Sequence, residues 1–144
     1  MSRRREVMGA GLLCLALRPA KATPESLQAA LQAFSGGAAL RQGRVLLTIA
    51  ELVENGNAVP VSVSVASPMS ESDHVRRIAL FAEHNPQPDV AIFHLGPHNG
   101  RAQVAVRMRL ATSQTVLAVA EMSDGSFWQH SVDVLVTLAA CLEN

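Results

Sequence analysis

The stretch VPVSVSV, residues 59–65, constrains this chain more than any other. Valine takes positions 59, 61, 63 and 65, with proline or serine between. A period of two puts the valines on one face of a strand and the small polar residues on the other. The β-branched side chains suit a pleated backbone better than a helix. A chain built this way makes a sheet with one buried face, the habit of antiparallel layered proteins.

Six more segments read as strands: RVLLTI (44–49), VRRIALFA (75–82), VAIFHL (90–95), AQVAVRMRLA (102–111), TVLAVAEM (115–122) and FWQHSVDVLVTL (127–138). Within 102–111, alternation places Val104, Val106, Met108 and Leu110 inside and Arg107 and Arg109 outside; within 127–138, Val132, Val134, Val136 and Leu138 share a face. Strong turn signals separate the runs: Asn55-Gly56-Asn57, Asn85-Pro86-Gln87-Pro88, Gly96-Pro97-His98-Asn99-Gly100 and Asp124-Gly125-Ser126. Upstream, Thr23-Pro24-Glu25 has the residues of a helix start, Leu27, Leu31 and Phe34 fall on one face, and Ser35-Gly36-Gly37 ends the run. The expectation is an all-β fold: a single immunoglobulin-like antiparallel β-sandwich of about seven strands, preceded by a short N-terminal helix.

The N-terminus has a different character. Ser2-Arg3-Arg4-Arg5 is a basic segment, Val7 to Leu17 is apolar, and Ala20-Lys21-Ala22 offers a small-x-small cleavage site. Residues 1–22 thus read as an export signal of the twin-arginine type. The apolar run is too short for a permanent membrane anchor. Leu13 before Cys14 does not fit lipid attachment, which needs a small residue there. The domain would then occupy residues 23–138 and a C-terminal arm residues 139–144.

Beyond residue 22 the chain has seven arginines, no lysine and 11 acidic residues, a net charge of −4. No basic stripe for nucleic acid is present. The histidines at 74, 84, 94, 98 and 130 have no HExxH or other metal-ligand spacing and read as solvent-exposed loop residues, so no metal or other cofactor is expected. No G-x-S-x-G elbow or paired carboxylates point to hydrolysis. Arg76-Arg77 and Arg107/Arg109 read as a solvated face, with attraction of anionic ligands or an acidic partner as the alternative.

Cys141 is the only thiol left once the signal is removed. In an oxidising compartment an unpaired cysteine points to a reactive or intermolecular role. It follows the last strand by three residues, which at about 3.6 Å per residue lets its sulfur stand roughly 10 Å off the domain. A nucleophile on such a tether, with no pocket of its own, suits an arm that presents a covalently held group to other proteins. It does not suit an enzyme.

Four segments in order resemble the SoxY family, sulfur carriers of thiosulfate oxidation: SGGAALRQGRVLLTIAELVENGNAVPVSV (35–63), HNPQPDVAIFHLGP (84–97), RMRLATSQTVLAVAEMSDGSF (107–127) and VLVTLAAC (134–141). The resemblance implies a periplasmic carrier, not itself an enzyme, with Cys141 as the covalent sulfur attachment. It implies a heterodimer with a SoxZ-like subunit. It also implies exchange with the c-type cytochrome SoxAX, which couples thiosulfate to the cysteine, with the SoxB hydrolase, which releases sulfate, and on some pathways with a sulfane dehydrogenase. The departure is the arm. The family's Gly-Gly-Cys-Gly-Gly is replaced by Ala139-Ala140-Cys141-Leu142-Glu143-Asn144. Two alternatives stay open: a diverged paralogue carrying another sulfur species, or an interaction module using Cys141 for an intermolecular disulfide.

Overall fold

A computed structural model describes residues 24–138. The expected signal (1–22), the Thr23 cap and the arm with Cys141 (139–144) lie outside the described residues. Among the described residues, helix α1 (Pro24–Ser35) comes first and nine strands follow: β1 (Leu40–Gln42), β2 (Val45–Thr48), β3 (Leu52–Val53), β4 (Val59–Val65), β5 (Val75–Ala82), β6 (Asp89–His94), β7 (Gln103–Met108), β8 (Gln114–Met122) and β9 (Phe127–Val136). A single 3₁₀ turn, Pro97–Asn99, links β6 to β7.

Two sheets form. The larger runs β1-β9-β8-β5-β6, with β3 also on β9, and the smaller runs β2-β4-β7. The expected valine stripe of β4 is buried at all four positions, and Val63 is fully covered. Ile78, Leu80 and Ala82 of β5 and Val116, Ala118 and Ala120 of β8 meet it from the larger sheet. The intervening residues Ala79, Phe81, Leu117 and Val119 are buried on the opposite face, under Leu31 and Phe34 of α1. The central strands therefore read as nearly continuous apolar runs because both of their faces are covered. The molecule has three layers: helix, large sheet, small sheet.

At 12 residues, α1 is too short to be stable alone. Packing holds it: the Phe34 ring meets Phe81 and Phe127 edge-on, at 6.0 and 5.7 Å between centroids. Gly36 then ends the helix at φ +63°, its N–H donating to the Gln32 carbonyl.

The two strands beyond the expected seven are β1 and β3. Both pair with β9 and run parallel to it, two short additions to the antiparallel sandwich expected. Between them the chain leaves the edge of β9 at Gly43 (φ +113°) and Arg44 (φ +59°), crosses to the small sheet as β2, and returns. Glycine serves the step because φ is positive there, a conformation that side chains rarely adopt. Val104 and Val106, expected inside, are only half-buried because β7 ends the small sheet.

Candidate functional site

Cys141 follows β9, so the described part of the site is the root from which the arm springs. The antiparallel ladder of β8 and β9 reaches Gln114 opposite Val134 and stops. Beyond it, Ser113 replaces the missing strand. Its hydroxyl accepts the Val136 N–H at 2.8 Å and donates to the Val136 carbonyl at 3.3 Å. On the other edge, β3 runs parallel to the end of β9. Leu135 N–H donates to Glu51 O at 2.7 Å and Thr137 N–H to Val53 O at 3.0 Å. The Thr137 hydroxyl donates to Glu54 O at 3.2 Å. Gly56 N–H donates to Leu138 O, and Gly56 O accepts from Leu110 N–H, both at 2.8 Å. The chain is thus bonded to the scaffold up to Leu138, whose carbonyl takes the Gly56 N–H while its side chain stays exposed.

A polar knot stiffens this end. Gln114, buried, accepts from His84 N–H and donates to Asn85 Oδ1 and Thr112 O, each at 2.9 Å. Asn85 in turn accepts from Ala111 N–H and donates to Arg109 O. These bonds satisfy a buried amide fully and tie the β5–β6 and β7–β8 turns together, as a buried polar group requires. The arm leaves from a rigid platform.

The histidines are dispersed. His84, His94 and His98 are exposed, as expected, but His94 sits on β6. His74, in the loop before β5, and His130 are half-buried, which corrects the solvent-exposed reading. His130 lies on β9, where its Nδ1 accepts the Leu47 N–H at 2.8 Å and joins the two sheets where β2 has left the β9 edge. Among the described residues no group of three His, Cys, Asp or Glu is placed to hold a metal.

The arginines divide. Arg76, Arg107 and Arg109 are exposed. Arg77 is not part of a solvated face: it pairs with Glu121, its Nε donating at 2.9 Å. It also donates to the Phe34 carbonyl at 3.1 Å and lies over the Phe34 ring at 4.2 Å. Adjacent strand residues point to opposite faces, so one of the pair had to meet the helix. Its positive charge meets the helix C-terminus, where the macrodipole favours it.

A half-buried apolar edge runs along β6 and β7. Each strand ends its sheet, and β2 lies over β8 and β9, which puts β7 toward β6. Val90, Phe93, Leu95, Val104 and Val106 are there only partly covered.

Comparison with known proteins decides the family. The model of the sulfur oxidation protein SoxY matches residues 31–141, more than half of the chain, and its match ends on Cys141. The chain belongs to the SoxY family. The sulfur carrier protein SoxY from Chlorobium limicola f thiosulfatophilum has the same fold as this SoxY chain, with a TM-score of 0.68 and 26% identity over 81% of this chain and 100% of that one. The superoxide reductase (neelaredoxin) of Ignicoccus hospitalis gives a TM-score of 0.58 at 19% identity, covering 65% of this chain and 80% of that one. The superoxide reductase of Nanoarchaeum equitans gives 0.57 at 12%, covering 67% and 100%. These two likenesses are of fold alone. No curated protein matches the sequence significantly.

Proposed function

We propose that this SoxY chain is a periplasmic sulfur carrier that holds thiosulfate-derived intermediates covalently on Cys141 and is acted on by partner enzymes. The observation that carries this reading is the family match, which runs through the domain and includes the cysteine. The scaffold supports it: the chain beyond β9 stays bonded up to Leu138, so the arm has a fixed origin close to its thiol. Residues 1–22 supply the export signal.

The chemistry needs only a thiolate, a two-electron acceptor and water. A thiol of ordinary pKa, about 8.5, supplies a minor but useful thiolate fraction at neutral pH. Cys141 thiolate and thiosulfate form one S–S bond and release two electrons, which a c-type cytochrome of the SoxAX kind accepts. Water then splits the S–SO₃ bond on a SoxB-like hydrolase, giving sulfate, two protons and a persulfide on Cys141. A sulfane dehydrogenase oxidises the remaining sulfur where that branch exists. The carrier supplies the tether, and the partners supply redox and hydrolytic centres.

A SoxZ-like subunit completes the carrier. The half-buried β6–β7 edge supports this, because a second sandwich there would cover both the apolar residues and the free strand edges. The test of the carrier reading is Cys141→Ser. Thiosulfate-dependent cytochrome reduction should vanish; unchanged reduction would refute it.

The arm sequence favours a second reading, a paralogue retuned for another sulfur species or partner. Alanines narrow the backbone freedom that glycines give, and Leu142 and Glu143 add bulk and charge. Replacing 139–143 with Gly-Gly-Cys-Gly-Gly tests it. A large gain with standard Sox partners supports retuning, and equal rates remove it.

A further inference from the structure

Two turns of this chain set asparagine before glycine: Asn55-Gly56 at the arm root and Asn99-Gly100 between β6 and β7. No other asparagine precedes glycine. The pairing matters because asparagine is chemically labile and glycine has no side chain to shield its amide nitrogen. That nitrogen attacks the asparagine Cγ and closes a succinimide ring. Water then opens the ring to aspartate or isoaspartate.

The electrophile is polarised alike in both turns. Asn55 Oδ1 accepts the Asn57 N–H at 2.9 Å, and Asn99 Oδ1 accepts the Gly96 N–H at 2.8 Å. As the nitrogen adds, negative charge gathers on that same oxygen, where a fixed N–H donor stabilises it. The nucleophiles differ. Gly56 is buried, and its N–H donates to Leu138 O at 2.8 Å. Gly100 is exposed, and its N–H reaches Pro97 O only at 3.4 Å, longer than a normal bond of this kind. Attack by Gly56 must first break a bond that fastens the arm root. Attack by Gly100 gives up almost nothing.

We propose that Asn99 is a self-modification site, converting to aspartate and isoaspartate through an imide with Gly100, and that the bond from Gly56 to Leu138 holds Asn55 unreactive. The Gly100 N–Cγ bond forms as the Cγ–Nδ2 bond breaks, and the glycine amide proton leaves with the side-chain amine as ammonia. Water is the only other reactant, and no electrons change hands. Either product puts a carboxylate where the chain had a neutral amide. Isoaspartate also adds a carbon to the backbone of a turn closed by Asn99 N–H to Gly96 O at 3.0 Å and Arg101 N–H to Asn99 O at 2.7 Å. That turn joins β6 to β7, so conversion alters the edge of the sandwich while the arm root keeps its bonds.

The test uses the full-length protein, kept folded at mildly alkaline pH and digested at intervals. Chromatography with mass spectrometry separates asparagine, aspartate and isoaspartate at positions 55 and 99. Asn99 should convert about fivefold faster than Asn55, the factor that the net free energy of one hydrogen bond supplies. In urea both turns are gone, and the two rates should converge. Equal rates in the folded protein, a faster Asn55, an Asn99 that converts only in urea, or rates that stay as far apart in urea would each overturn the proposal. The comparison needs no variant, so no failure to fold intervenes. Neither site involves the thiol or its cargo, so this result and the test of the carrier reading stand apart.

Discussion

The hydroxyl of Ser113 both accepts from the Val136 N–H and donates to the Val136 carbonyl. One side chain thus stands in for a missing strand residue at the point where β9 gives way to the arm. Ser113→Ala removes both bonds and leaves a half-buried N–H unpaired, which should cost about 1–2 kcal/mol in chemical denaturation. The exchange protection of the Val136 amide should fall by more than that of Val134, which keeps its ladder partner.

Arg77 and Glu121 join the helix to the sheet. Their side chains are 28% and 14% exposed, so the pair is only partly screened by water. Arg77→Met strands the Glu121 carboxylate and frees the Phe34 carbonyl, and should cost about 2–3 kcal/mol. Adding Glu121→Gln should recover part of that loss, a coupling that a double-mutant cycle by urea denaturation reads directly.

His130 carries a bond between sheets. With His130→Phe the Leu47 N–H loses its acceptor, and the expected loss is about 1–2 kcal/mol. The Leu47 amide should exchange faster, while amides in β5 should follow only the global change.

Asp124 sets the acid response of the β8–β9 turn. The Ser126 hydroxyl and then the Ser126 N–H, at 2.6 and 2.9 Å, hold its carboxyl below the ordinary value of 3.8. A depressed folded-state pKa means the contribution is present above the ordinary value and is lost as pH falls through the folded one. Asp124→Asn should therefore lower the denaturation midpoint at pH 7, and the gap from wild type should shrink as pH falls below 3.8. A gap that widens in acid would contradict this.

The long strands were legible either from a period of two, as in β4, where the valine stripe of 59–65 is the strand to the residue, or from a continuous apolar run between turn signals, as in β5 and β8. By contrast, β1 and β3 are three and two residues long, too short for any period, and their parallel pairing exists only once β9 is in place. Arg77 looked solvated because nothing local says that α1 covers that face. His130 looked like a free surface group because its partner, Leu47, is 83 residues away. At the site, the sequence offers Cys141 on its tether, which lies outside the described residues. The root was not legible: Ser113, Gly56 and the Asn85–Gln114 knot come together only by topology.

The most direct measurement is the intact mass of the exported protein, purified from cells given thiosulfate, with and without reductant. The carrier account predicts an adduct of thiosulfonate or persulfide type that maps to Cys141, disappears on reduction and is absent in Cys141→Ser. A free thiol, or only a symmetric disulfide, with the cytochrome present would contradict it.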